Sequence, residues 1–134
     1  MTRLESNKVL IGKKPEEVFD FLSDFNNIGK LMPEQVEGFS TDGLTSSFTI
    51  KGMAKLGLIY ESKKAFENIV MKSHGKVPFD FNLICSMEPI GEETALTLFL
   101  DADLNPFLKM MAEKPLTNFL NLLVNKYRDL NSNS

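Results

Sequence analysis

Several residue types that build common active sites are scarce in this chain of 134 residues. It has one histidine, His74, one cysteine, Cys85, and no tryptophan. A single histidine excludes every zinc motif that uses several, and any nucleophile activated by imidazole would have to use His74. The eight glycines form neither a dinucleotide fingerprint nor a phosphate-binding loop. We therefore expect no cofactor and no metal.

Long apolar runs and a strong charge of one sign are missing as well. No stretch approaches about 18 unbroken apolar residues, and the first ten include Arg3, Glu5 and Lys8 rather than an apolar signal sequence. The formal net charge is −3 and the pI is about 5.2. We expect a soluble cytoplasmic protein that has no integral membrane association and does not bind nucleic acid. The lone cysteine fits a reducing compartment.

The chain has the length and composition of one folded domain. At about 100 to 200 residues per domain, 134 residues leave no room for a second. Hydrophobic residues make up 43% of the chain, which is ordinary for a globular protein. The sequence predicts one domain over residues 1–134, with a frayed polar tail at residues 131–134.

The spacing of apolar residues changes from helical to strand-like along the first hundred residues. Leu4 to Ile11 has the composition of a strand, and residues 15–31 predict two short helices, the first opened by Pro15. Residues 36–104 alternate with a period of two, which predicts an antiparallel sheet with one solvated face. Asp42 and Gly43 predict a tight hairpin turn in which both residues have positive φ.

A long helix is predicted at the C-terminus. Asn105 is a candidate cap and Pro106 suits the first helical position. An apolar stripe repeats every three or four residues from Leu116 to Tyr127, long enough to lie across the sheet. Pro115 falls inside this segment, so we expect a kink or break between residues 111 and 115.

Five segments stand out within this order of elements: Pro15 to Phe19, Leu31 to Pro33, Met87 to Pro89, Gly91 to Thr94 and Asn105-Pro106. Together with the order of elements they resemble the helix-grip fold of the START-like (SRPBCC) superfamily, in particular its small bacterial members of the polyketide cyclase and carbon monoxide dehydrogenase G families. The resemblance covers essentially the whole chain. It implies an α+β fold in which a curved antiparallel sheet wraps around a long C-terminal helix, with two short helices between strands 1 and 2. It also implies an elongated apolar cavity between sheet and helix.

The candidate site is that cavity. An apolar pocket for a lipid-sized guest would measure roughly 300 to 1,000 Å³. The segment from Met110 to Pro115 would act as its gate, because proline removes a backbone hydrogen bond. Tyr60 offers a polar group whose partner is a ligand, Ser46, Ser73 or the backbone. We predict that the lining comprises Phe48, Tyr60, Phe81 and Leu83 of the sheet and Met110, Met111 and Phe119 of the helical segment.

Other candidate chemistry is weaker. Asp101, Asp103 and Asn105 match the first ligands of a calcium loop, but Pro106 and Ala112 stand where glycine and glutamate belong, so we expect no calcium site. Cys85 alternates in phase with the apolar residues of its strand, which predicts an inert core thiol. His74 alternates in phase with polar residues, which predicts a solvent face or a turn.

Three functions remain open at this point. The first is a non-enzymatic module that binds or transports a small hydrophobic molecule, either a lipid or a polyketide-like compound. The second is a polyketide cyclase-like enzyme that moves protons with Tyr60 or a buried acid. The third is a protein-interaction module whose cavity is closed. The first is favoured because the inward strand faces carry few ionisable groups. The sequence does not determine the oligomeric state.

Overall fold

The structure, a computed structural model, describes the backbone of residues 1–132 and the side chains of residues 1–130. The strands are β1 (Thr2–Glu5), β2 (Val9–Ile11), β3 (Val36–Thr41), β4 (Thr45–Ile50), β5 (Ala54–Lys64), β6 (Asn68–Ser73), β7 (Phe81–Ile90) and β8 (Glu93–Ala102). The helices are α1 (Pro15–Leu22), α2 (Phe25–Gly29) and α3 (Pro106–Ser132).

Within residues 1–132, eight strands form one antiparallel sheet. The path runs β1-β8-β7-β6-β5-β4-β3, and β2 pairs with β8 beside β1. The fold is therefore the predicted α+β helix grip: a curved antiparallel sheet, a long C-terminal helix and two short helices early in the chain. The alternation of apolar residues determines this result, because it leaves each strand one face to bury.

The N-terminal strand is divided, whereas the sequence predicted one strand from Leu4 to Ile11. Ser6 is the reason, since its backbone N–H donates to the carbonyl of Leu98 at 2.9 Å while its Oγ accepts from the N–H of Leu98 at 2.9 Å. The side chain thus replaces a backbone group of the ladder. β1 and β2 both continue along β8 on either side of this interruption.

The hairpin between β3 and β4 forms at the predicted place with a different turn. Gly43 has a positive φ of 94°, but Asp42 does not, so the predicted pair of positive φ values is wrong. Asp42 Oδ1 instead accepts from the backbone N–H groups of Leu44 at 2.9 Å and Thr45 at 2.7 Å. These hydrogen bonds lower the pKa of Asp42. The aspartate side chain stabilises a longer loop, in which Leu44 is exposed.

Helix α3 is continuous from Pro106 to Ser132, so of the kink or break predicted at residues 111–115 the break is wrong. Pro115 lies on an exposed face of the helix. Met111, whose carbonyl loses its intrahelical donor, is itself exposed, so water can replace the lost hydrogen bond. Residues 131 and 132 belong to this helix. The rest of the predicted frayed tail, residues 133 and 134, lies outside the described residues.

The core lies between the inner face of the sheet and the helices. The rings of Phe48 on β4 and Phe119 on α3 stack with centroids 5.7 Å apart, as predicted for residues facing one another. Phe21 of α1 stacks on Tyr127 of α3 at 4.5 Å. These contacts seat α3 against both the sheet and α1, and they enclose the space where a ligand is expected.

Candidate functional site

An apolar cavity lies where the sheet, residues 15–32 and α3 meet. Residues 15–32, which comprise α1, α2 and the turn after α2, are called the α1–α2 segment. Every lining side chain is apolar or a thiol. We call it the interior cavity, and its lining residues are Leu22, Ile28, Leu31, Met32, Phe48, Leu58, Met71, Leu83, Cys85, Leu96, Leu98, Phe119, Leu123 and Val124.

The interior cavity is much smaller than predicted. Its volume is about 20 Å³, little more than the 10–15 Å³ or so that one water molecule occupies. The predicted volume of roughly 300 to 1,000 Å³ is wrong for this conformation. The reason is that large side chains fill the space: Phe48, Leu58, Met71 and Leu96 are all almost completely buried. A guest larger than water enters only if part of the lining moves.

Some of the residues predicted to line the site do meet at this cavity. Phe48, Leu83 and Phe119 line it, from β4, β7 and α3 respectively. Phe81 is buried but packs on Phe79, with ring centroids 5.8 Å apart, beyond the cavity. Tyr60 lies outside the lining on the side of α2, where its ring stacks on that of Phe25 at 4.2 Å.

Met110 and Met111 lie away from the cavity. They are 77% and 61% exposed, and Phe107 one turn earlier is 63% exposed. The cause is the phase of the helix: Ala112 and Leu116 occupy the buried stripe, so positions 107, 110 and 111 face solvent. Because α3 is also continuous here, the predicted gate at residues 110–115 has neither a break nor contact with the cavity.

Tyr60 has a backbone partner. Its hydroxyl donates to the carbonyl of Leu22 at 2.6 Å, and the Lys63 ammonium lies over its ring, 4.3 Å from the centroid. Burial, followed by the nearby Cys85 and Asp24, raises the pKa of Tyr60 above its ordinary value. The phenol is thus held neutral at the junction of β5 and α1, where it fixes the end of α1 against the sheet.

Cys85 is the one titratable group among the lining residues of the interior cavity. Burial raises the pKa of its thiol to about 12, so it is protonated and weakly nucleophilic at neutral pH. General acid–base catalysis needs a titratable group with a pKa near the working pH. The lining therefore suits binding of an apolar molecule and offers no group to transfer a proton.

The α1–α2 segment contributes lining residues that the sequence analysis did not assign to the site. Ile28, Leu31 and Met32 form the wall opposite the sheet. Ile28 and Leu31 belong to the apolar spacing of the second predicted short helix, whereas Met32 does not. Placing them at the cavity requires the position of α2 over the sheet, and that position depends on contacts such as Phe25 with Tyr60.

Asp101 and Asn105, near the start of α3, have structural roles. Asp101 accepts from Arg3 through two hydrogen bonds, at 2.7 and 2.8 Å, and this contact lowers the pKa of the carboxyl. Asn105 Oδ1 accepts from the backbone N–H of Leu108 at 2.8 Å and caps α3. No group of three or more histidine, cysteine, aspartate or glutamate side chains in the described part of the chain is placed to hold a metal ion.

Comparison with solved structures finds the same fold in proteins of very different sequence. A protein from Thermus thermophilus, TTHA0849, superposes with a TM-score of 0.75 at 17% identity, covering 99% of this chain and 100% of that one. A START superfamily protein from Mycobacterium smegmatis superposes with a TM-score of 0.75 at 16% identity, covering 98% of this chain and 97% of that one. XoxI from Bacillus cereus superposes with a TM-score of 0.77 at 11% identity, covering 98% of this chain and 96% of that one.

These likenesses establish the fold, which is START-like over nearly the whole chain. No family model matches the sequence, and no curated protein matches it either. Among residues 1–132, none of the helices has both the length and the hydropathy needed to cross a membrane. The function has to be argued from the site itself, because one fold hosts many activities.

Proposed function

We propose that this protein binds a small hydrophobic molecule, such as a lipid or a polyketide-like compound, in the interior cavity. The observation that carries the proposal is the lining: an enclosed space between sheet and α3 with apolar walls on every side. Such a space has no partner for a polar or charged ligand, so only an apolar guest avoids a desolvation penalty.

Binding requires the cavity to enlarge, and the wall formed by Ile28, Leu31 and Met32 is the part best suited to move. Ile28 lies in helix α2, which has only five residues, and Leu31 and Met32 follow it outside any helix, so this wall is not stable without tertiary contacts. Met32 and Met71 on opposite walls are unbranched and adapt to different shapes more readily than leucine or valine. Displacing this wall opens the cavity toward solvent and leaves the sheet intact.

An aromatic stack closes the cavity on the side of β3. Phe39 lies beside Phe48, with ring centroids 6.2 Å apart, and Phe48 stacks in turn on Phe119. A Cβ atom added to Gly29 of α2 would lie 2.7 Å from the Phe39 ring, so glycine permits the close approach of α2 to this stack. Outward movement of α2 separates it from Phe39 and uncovers the interior.

The test compares two tryptophan substitutions at adjacent residues of β7. Leu83→Trp adds volume to the cavity wall, whereas Ile84→Trp adds the same group on the opposite face of the same strand. The probe is cis-parinaric acid, a fluorescent fatty acid. We expect saturable binding to the unmodified protein and to Ile84→Trp, and at least about tenfold weaker binding to Leu83→Trp.

The stability of the same variants distinguishes a cavity whose wall moves from a rigid packed core. A wall that moves accommodates the larger side chain of Leu83→Trp with a loss below about 1 kcal/mol, whereas a rigid packed core loses about 1 to 3 kcal/mol or more. No fatty-acid binding by the unmodified protein, together with the larger loss of stability, would contradict the proposal.

One observation favours a second function, the protein-interaction module. The cavity volume of about 20 Å³ is that of a filled core, and Phe107, Met110 and Met111 form an exposed apolar stripe on α3. Exposed apolar clusters of this kind are typical of contact surfaces. The Leu83→Trp experiment decides between the two functions, because only the ligand-binding function depends on the interior.

A further inference from the structure

A second concavity lies on the other side of the sheet. Its volume is about 500 Å³, far larger than the interior cavity. It is bounded by the β3–β4 hairpin, the first half of β5 and the loop at His74 to Lys76. We call it the outer groove, because Gly57 on its floor and the paired residue Ser47 lie on the face of the sheet opposite Phe48 and Leu58.

The shape of the groove depends on glycine at position 57. A Cβ atom there would lie 2.2 Å from the carbonyl oxygen of His74, which no real side chain tolerates. The missing side chain allows the chain after β6 to pass closely over β5, held by a hydrogen bond from the N–H of His74 to the carbonyl of Gly57 at 3.0 Å. The loop thus becomes a fixed wall of the groove.

The charged groups around the groove are mainly cationic and unpaired. Lys55 and Lys76 are exposed at its rim, and neither lysine forms an ion pair with a residue that the structure describes. The acidic residue among its lining side chains is Asp42, whose Oδ1 already accepts hydrogen bonds from the hairpin. Two lysine ammonium groups against one carboxylate, which is already occupied by the hairpin, favour the approach of an anion even in a protein of net negative charge.

Hydroxyl groups line the opposite wall. Ser40 and Ser47 lie with their Oγ atoms 3.2 Å apart, and Thr45 is adjacent. In a pair of hydroxyls one donates to the other, so the second keeps a free proton and both keep free lone pairs. The wall can therefore donate to, and accept from, a ligand that carries hydroxyl groups of its own.

We propose that the outer groove binds a small phosphate monoester that bears hydroxyl groups, with the phosphate near Lys55 and Lys76 and the hydroxyls on the serine wall. Lysine ammonium groups suit phosphate as point charges, and charge-assisted hydrogen bonds are the stronger kind. This site is separate from the interior cavity. It does not depend on the proposed binding of a hydrophobic molecule.

The single histidine makes the test specific, because its imidazole resonances report on the rim of the groove without ambiguity. The full chain is titrated at constant pH and ionic strength with glycerol 3-phosphate, with inorganic phosphate and with glycerol. We expect saturable shifts of the His74 signals with the phosphate ester, weaker binding of inorganic phosphate and no saturable shift with glycerol.

Two double variants with the same change in net charge provide the control. Lys55→Gln with Lys76→Gln removes the cations of the groove, and Lys109→Gln with Lys114→Gln removes two exposed lysines of α3. The first should weaken binding of glycerol 3-phosphate by about tenfold or more, and the second should leave it unchanged. Absence of a saturable shift, equal affinity for both phosphates, or equal loss in the two variants overturns the proposal.

Discussion

The two faces of the sheet carry concavities of opposite character. On the inner face, large apolar side chains leave about 20 Å³ of space with apolar walls, while on the outer face a glycine and short hydroxyl side chains leave about 500 Å³. The hydrophobic effect fills the inner space because each apolar group gains by leaving water. No such force fills the outer one, so its volume depends on how the backbone bends.

The largest effect is expected for truncation of the aromatic stack on the inner face. Phe48→Ala removes a buried ring that contacts both Phe39 and Phe119, and it should lower the free energy of unfolding by about 3 to 5 kcal/mol. Leu44→Ala in the same hairpin is the control, because this side chain is 76% exposed and its loss should change stability by less than about 0.5 kcal/mol.

Those two values are read from urea denaturation monitored by circular dichroism. A loss at Phe48 no larger than that at Leu44 would mean that the inner face is not a packed core, and the contrast between the two faces would disappear.

The next effect concerns the floor of the outer groove. Gly57→Ala places a Cβ atom against the backbone of His74, and moving that backbone should cost about 1 to 3 kcal/mol. It should also shift the His74 resonances, since the loop has to move. Gly12→Ala is a matched control, because its Cβ would meet nothing nearer than the carboxylate of Glu93 at 3.8 Å. Equal stability of the two variants would contradict the fixed wall of the groove.

Two adjacent serines of β4 lie on opposite faces of the sheet, so replacing each by alanine compares the two faces directly. Ser46 points inward, and its hydroxyl is buried without a hydrogen-bond partner among residues 1–132. Replacing a buried unsatisfied group removes its desolvation penalty, so Ser46→Ala should raise the free energy of unfolding by about 1 kcal/mol. Ser47→Ala on the outer face should leave it within about 0.5 kcal/mol. Thermal denaturation of the two variants measures both, and a destabilised Ser46→Ala protein would show that this hydroxyl has a partner.

The smallest effect is the pH dependence of the ion pair between Arg3 and Asp101. Arg3 lowers the pKa of the Asp101 carboxyl in the folded state. The stabilisation is therefore present above the unfolded pKa of about 3.9 and is lost as the pH falls through the lower folded value. Because the Arg3 side chain is 56% exposed and that of Asp101 20%, solvent screens the pair, and it contributes about 0.5 kcal/mol.

Asp101→Asn should lose that amount at neutral pH and match the unmodified protein in strong acid, with urea midpoints measured at both. Asp103→Asn, an exposed neighbour, should show no such difference. A difference that persists in strong acid would point to a role of Asp101 other than the ion pair.

Elements that depend on local chemistry could be predicted from sequence. Pro15 begins α1 and Asn105 caps α3 where expected. The period of two on β4 and β7 predicts the inward direction of Phe48 and Leu83, and the helical stripe of α3 predicts that of Phe119; all three side chains line the interior cavity. The divided first strand was missed because Ser6 replaces a backbone group by a side-chain hydrogen bond, and nothing in the local composition marks that exchange.

Helical phase explains the misplaced methionines. Met110 and Met111 were assigned to a gate because of their residue type and their nearness to Pro115. The phase that buries Ala112 and Leu116 turns both methionines to solvent. Pro115 then falls on an exposed face, where the loss of one hydrogen bond is compensated by water, and the helix continues.

The sequence by itself determined the class of fold and the direction in which each strand buries its side chains, because both follow from short-range periodicity. Volumes were decided only by the tertiary structure. Whether Phe48 and Met71 leave a pocket or fill it depends on how side chains from separate segments of the chain interlock. Likewise, the outer groove exists because a loop after β6 crosses one glycine of β5, a contact between residues 57 and 74 that no local pattern records.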